Sequence, residues 1–274
     1  MKFVTPAVDQ VFTVTSGAAW PHIPFETDGS GPHTWQWTIE WGGFQKSGTA
    51  STAGNTWDAQ PAIVNCGGTL TVVATNGGAS ASVAVKVRGT NPSQAEILAY
   101  LATKDGSSGF DRIVWHETKG RHFKGDEPYK SFDNGYGLTQ LTTPPPTFEQ
   151  VWNWKMNIDA GLKLFDDKRK AAKAYLSQNN RAFTEAQLRY ETVCRWNGGS
   201  YHEWDAASNK WIRTRTILCD KTAQSIGWDM TDPANAGKTE AELHARDGAA
   251  YSKPRPKNAP WRYFGACYAD SLLA

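Results

Sequence analysis

Between residue 2 and about residue 88, apolar side chains recur at every second position in short runs, with clusters of Gly, Ser, Asn and Pro between the runs. A period of two is the mark of half-buried strands, so this part of the chain is read as all-β. In Trp35-Gln36-Trp37-Thr38-Ile39-Glu40-Trp41 the alternation puts Trp35, Trp37, Ile39 and Trp41 on one face, which must be buried. Further on, Thr69–Thr75 and Ser82–Val87 flank Asn76-Gly77-Gly78, a turn sequence able to supply positive φ. The two runs are expected to pair as a hairpin that closes a small sandwich.

At Gly89-Thr90-Asn91-Pro92 the pattern changes to a helical one. Asn91 suits an N-cap, Pro92 the first helical position and Gln94 a capping box, with Ala95, Leu98 and Leu101 or Ala102 on one stripe. A second helix is expected from about Ser108 to Glu117, with Phe110, Ile113 and Val114 inward and Gly120 beyond its end. After Pro144-Pro145-Pro146, Thr147 with Gln150 should cap a long helical stretch through Val151, Trp154, Ile158, Leu162 and Phe165. Thr184 with Gln187 should cap another, ending at Asn197-Gly198-Gly199. Residues 200 to about 218 read as a hairpin turning at Asn209, about 220 to 260 as an irregular insertion, and Trp261 to Leu273 as a last helix. The expectation is a multidomain chain: residues 1–89 an all-β module resembling immunoglobulin-like sandwiches, without the Cys-Trp-Cys spacing of antibody domains, and residues 90–274 a mainly-α domain. No internal repeat is visible at periods of 20 to 50 residues.

Composition narrows the partners. Twenty-nine basic residues against 27 acidic ones leave a charge of +2, which argues against an electrostatic nucleic-acid binder. No apolar run approaches the roughly 18 residues of a membrane span. Residues 1–6 lack the charged and apolar regions of a secretory signal, so action outside the cytoplasm would require release or delivery by other means. The four cysteines, Cys66, Cys194, Cys219 and Cys267, do not form a disulfide framework; they are read as buried thiols, with a single bridge among the last three as the alternative.

Trp115-His116-Glu117-Thr118-Lys119-Gly120-Arg121-His122 invites a zinc reading, which the spacing opposes. The second His follows the first by six residues with Gly120 between them, so the two imidazoles cannot share a helical face, and no metal or other cofactor is expected. Glu117 can instead serve as a carboxylic acid. A glycosidic oxygen leaves poorly unless it is protonated, and a carboxyl in an apolar setting, here Trp115, Phe123 and Tyr136, can donate that proton.

Four ordered motifs support this chemistry. Ser131, Gly137, Leu138 and Gln140 resemble the Ser and the Gly-Leu-Met-Gln element that follow the catalytic Glu in goose-type lysozymes and soluble lytic transglycosylases, with Thr139 for Met. Asn157-Ile158-Asp159-Ala160-Gly161 is similar to that family's Asn-Ile-x-x-Gly helix, and Trp196-Asn197-Gly198-Gly199 to its Tyr-Asn-x-Gly motif. The resemblance covers residues 92 to about 200, plus a final helix. Thr118 departs from the usual Ser, and extra residues around Gly125-Asp126-Glu127-Pro128 precede Ser131.

The resemblance implies a lysozyme-like fold and a muramidase that cuts the β-1,4 bond between N-acetylmuramic acid and N-acetylglucosamine in bacterial peptidoglycan. Glu117 would be general acid and then base, and Ser131, Tyr136, Gly137, Gln140 and Asn197 would line the saccharide cleft. Asp133, or Asp126, is the nearest candidate for a second carboxylate if the reaction is hydrolysis; a transglycosylase needs none. Such an enzyme would be a phage endolysin or a delivered antibacterial effector with an immunity or delivery protein as further partner, the β module serving as wall-binding, docking or spacer element. The alternative is a non-catalytic wall-binding or virion structural protein that keeps the groove.

Overall fold

The computed structural model describes residues 1–273, which divide into two compact units, the first Met1–Leu162 and the second beginning at Lys163. The first unit opens with strands β1 (Phe3–Thr5), β2 (Val11–Val14), β3 (Pro24–Thr27), β4 (His33–Trp41), β5 (Phe44–Thr52), β6 (Thr56–Asp58), β7 (Gly68–Asn76) and β8 (Ala79–Gly89). They form a five-stranded sheet in the order β2-β8-β7-β4-β5 and a three-stranded sheet in the order β1-β3-β6. Only β2 runs parallel to its neighbour. The alternation in β4 does what it promised: Trp35, Trp37 and Ile39 are buried, while Trp41 at the strand end is half-buried. Across the interior Trp35 stacks on Trp57 of the smaller sheet, and Trp57 on Phe25. The expected β7–β8 hairpin forms and turns through Gly77 and Gly78, both at positive φ, between the paired Asn76 and Ala79.

The change from strand to helix falls where expected, but α1 (Gln94–Ala102) is capped by Ser93 with Glu96 and not by Asn91 with Gln94. Asn91 is engaged elsewhere: its Oδ1 accepts the backbone N–H of both His122 and Phe123 at 2.7 Å, and its Nδ2 donates to the Phe123 carbonyl. The buried stripe also differs from the expected one: Ile97 and Leu101 are buried, whereas Ala95, Leu98 and Ala102 are exposed. α2 (Phe110–Thr118) buries Phe110, Ile113 and Val114 as expected. A minimal hairpin, β9 (Phe123–Lys124) with β10 (Glu127–Pro128), holds the extra residues before Ser131.

Thr147 and Gln150 cap α3 (Phe148–Trp152) reciprocally. The expected continuous helix breaks at Asn153, whose extended backbone and Oδ1, accepting from the N–H of Lys155 and Met156, restart it as α4 (Trp154–Leu176). These helices complete the β core: Trp152 meets Trp41 edge-on at 5.8 Å, Phe148 stacks on Phe44, and Trp154 Nε1 donates to the Ser16 carbonyl. Phe123, Tyr136, Phe148, Val151 and Trp152 therefore belong to the same apolar cluster as the sheets.

In the second unit α5 (Glu185–Asn197) carries the expected Thr184–Gln187 capping box. β11 (His202–Asp205) and β12 (Lys210–Arg213) form the hairpin turning at Asn209, and Trp211 packs with Ala172, Leu176 and Leu188. The stretch from about 220 to 260, expected to be irregular, holds one strand and one helix among its turns. β13 (Ile217–Cys219), β14 (Ile226–Asp229) and β15 (Trp261–Tyr263) make a sheet, and α6 (Glu240–Asp247) lies over it with a core of Ile226, Trp228, Leu243 and Trp261. Trp261 thus begins a strand, and the last helix, α7 (Gly265–Leu273), starts later. Cys219 and Cys267 form a disulfide joining β13 to α7, so the reading of four free thiols is corrected to its alternative; Cys66 and Cys194 are buried and free. Among the described residues no helix is long and apolar enough to cross a membrane.

Candidate functional site

α2 ends abruptly. Lys119 takes a left-handed conformation and returns its N–H to the Trp115 carbonyl, and Gly120 follows, also at positive φ, beneath the Trp115 ring. Glu117 lies in this last turn and is half-buried. Its neighbour Thr118 is buried, with its hydroxyl within reach of two carbonyls, Val114 in its own helix and Leu138 at 3.3 Å. That second contact ties the helix end to the segment 131–140 that the motifs singled out.

The segment is a tightly folded double turn. Gly137 N–H donates to the Tyr129 carbonyl at 2.9 Å, and Tyr136 bridges in antiparallel fashion to both Lys130 and Leu141. Ser131 Oγ accepts the Gly135 N–H at 2.9 Å and donates to the Asp133 carboxylate, so these two side chains organise the turn in which they sit. Asp133 is exposed, and Phe132 beside it is 97% exposed. Gln140 Nε2 donates to the Gly137 carbonyl at 2.8 Å. Tyr136 is buried, its ring edge-on to Trp41 and Phe44. Gly137 has φ of +69°, and a Cβ there would come within 2.6 Å of the His122 ring and 2.7 Å of Asn157 Nδ2, so only glycine fits.

Asn157, at the start of α4, is the hub. It is fully buried; its Oδ1 accepts from Thr139 N–H at 3.0 Å and Thr139 Oγ1 at 2.9 Å, and its Nδ2 donates to the carbonyls of Tyr136 and Gln150. A buried amide with all its polar atoms engaged fixes the loop to the helix. Thr139, which stands where Met was expected, takes part through its hydroxyl, and that role was not legible from spacing.

Both histidines of the rejected zinc pattern are held neutral near pH 7. Burial lowers the His116 imidazole below its ordinary range and pushes His122 down to about 3. His122 lies behind Gly137, where Nδ1 accepts the Leu138 N–H at 3.3 Å. Asp126 is drawn to Arg88 at 3.5 Å.

The structure thus gathers Ser131, Asp133, Tyr136, Gly137 and Gln140 into one turn linked to the helix end that carries Glu117. Asn197 ends α5 in the second unit and is exposed. The turn after it is anchored by Glu191, fully buried in α5, whose Oε2 accepts the N–H groups of Tyr201 and His202 at 3.0 Å. Glu191 was missed in the sequence because a carboxylate in a helix reads as solvated. No protein-family model matches the chain, and no curated protein matches it in sequence.

Proposed function

We propose that this protein is a peptidoglycan-cleaving muramidase in which Glu117 protonates the glycosidic oxygen between N-acetylmuramic acid and N-acetylglucosamine. The observation that carries the reading is the Thr118 to Leu138 contact, with Asn157 behind it, which fastens the turn of Ser131, Tyr136, Gly137 and Gln140 to the helix end bearing Glu117. The last turn of a helix is also where a negative charge is least favoured, which suits a carboxyl that must hold its proton. As the bond breaks Glu117 gives up that proton, and as a carboxylate it then deprotonates the attacking hydroxyl. That hydroxyl belongs either to water or to C6 of the muramic acid. Ser131, Tyr136, Gly137 and Gln140 are assigned to the saccharide cleft, with Asp133 as the second carboxylate of the hydrolytic route.

In this reading residues 1–89 are an immunoglobulin-like sandwich and the helical remainder a lysozyme-like domain. The protein acts at the cell wall as an endolysin or delivered effector, in the latter case met by an immunity partner. Glu117→Gln should abolish turbidity clearing of purified peptidoglycan while leaving the unfolding midpoint in place; clearing by the variant would remove Glu117 from its role. Mass analysis of the wild-type products separates the two routes, a reducing end marking hydrolysis and a 1,6-anhydro end transglycosylation.

A further inference from the structure

The apolar stripe of β4 is sealed at Trp35, Trp37 and Ile39 but emerges at Trp41. There, Trp41 and Phe44 form the aromatic part of a cavity of about 440 Å³ whose polar lining includes Glu40, Arg88, Thr69 and Glu127. That volume lies within the roughly 300–1,000 Å³ of small-molecule sites. Part of the lining has no side chains: Gly42 and Gly43 make the two-residue turn between β4 and β5, and a Cβ on either would meet nothing within 4 Å. Gly68 adds to it, at a position where any side chain would collide with the Glu40 carbonyl.

The indole is held in place rather than loose on the surface. Its Nε1 donates to Glu127 Oε2 at 3.2 Å, and it sits edge-on to Trp152 at 5.8 Å and to Tyr136 at 6.3 Å. The Arg88 guanidinium lies 3.4 Å from the other Glu127 oxygen. A carboxylate has about four acceptor sites and a guanidinium five donors, so both keep capacity for a ligand. An aromatic surface beside fixed donors and acceptors matches a pyranose, whose C–H face is apolar and whose hydroxyls point outward in the ring plane. Two carboxylates against one guanidinium leave the cavity net negative, which opposes phosphate-rich polymers and favours an uncharged sugar.

We propose that this cavity is a second saccharide-binding site, which takes neutral N-acetylhexosamine units through Trp41, Glu40, Glu127 and Arg88. The inference rests on the muramidase reading only for the source of the sugar. Tyr136, which touches the Trp41 ring, belongs to the turn assigned to the cleft, so the same aromatic cluster underlies both.

The test uses the full-length Glu117→Gln protein, which should not cut its ligand, titrated with an N-acetylglucosamine tetramer and followed by the amide resonances of Gly42 and Gly43. Saturable shifts are expected, with the midpoint raised about tenfold by Glu40→Lys, the effect of losing one charge-assisted contact, and likewise raised by Trp41→Leu, which removes the aromatic face. Glu40 is exposed, so its variant decides the matter if Trp41→Leu fails to fold. Resonances that stay still at saturating tetramer, or a midpoint that Glu40→Lys leaves unchanged, overturn the proposal. Wall clearing is scored separately. Clearing by wild type with silent glycines sinks the cavity alone, and clearing that survives Glu117→Gln with responsive glycines sinks the catalytic assignment alone.

Discussion

At Asn157 one side chain holds a helix and a loop together, and the sequence announced the residue but not its task. Its motif made it recognisable, whereas its partners are a carbonyl at Tyr136 and the Thr139 amide and hydroxyl, groups that a pattern of residue types does not contain. His122 is the opposite case, a residue first noticed for a metal role and then found walled in behind Gly137. Its folded-state pKa of about 3 lies below the ordinary 6.5, so the unfolded chain binds the extra proton first as pH falls. The contribution from neutral His122 is therefore intact above about pH 6.5 and is lost progressively below it, by up to about 1.4 kcal/mol per pH unit. Chemical denaturation between pH 7 and pH 4 should show a steeper loss of stability in the wild type than in His122→Gln. Equal slopes would mean that the imidazole is not buried as described.

Among the elements, helix starts were the most legible, because a capping box is written within four residues. Thr147 with Gln150 and Thr184 with Gln187 cap as expected. Thr239 with Glu242 caps α6 by the same device, and was available as a sign of a helix within residues 220 to 260. α1 slipped because Ser93 offered a second cap two residues beyond Asn91, and the choice depended on where the Asn91 amide was needed. The link between β13 and α7 was less legible still, since three cysteines in the last third allow several pairings. Cys219 and Cys267 are 48 residues apart, and a loop of that length constrains the unfolded chain by about 4 kcal/mol. Reduction, or the double change Cys219→Ser with Cys267→Ser, should lower the stability of the second unit by that order in a denaturant titration. Thiol counting on the unfolded protein should give two free thiols without reductant and four with it. Four without reductant would rule out the bridge.

For the molecule as a whole, the division by residue pattern and the division by packing fall in different places. The chain passes from strand to helix near Gly89, but the apolar cluster of the sheets continues through Phe123, Phe148, Val151 and Trp152, and the first compact unit runs to Leu162. Burying a large side chain contributes about 1.5–3 kcal/mol, and domains are stable by only about 5–15 kcal/mol. A fragment of residues 1–89 should therefore melt without a sharp transition and bind an apolar dye that the full chain excludes; a sharp melt with no dye binding would show that the sheets suffice. Side-chain period and turn chemistry are local, and from them alone came the β4 stripe, the Gly77-Gly78 hairpin and two capped helices, whereas the ordered residues after Glu117 were picked out by a family resemblance. Long-range partners belong to no short window of sequence. The tie from Asn153 to Asn65, the Cys219–Cys267 bridge, the anchoring of the turn after α5 by Glu191 and the emergence of Trp41 into a cavity were settled by folding, because each joins groups from separate elements that no short pattern relates.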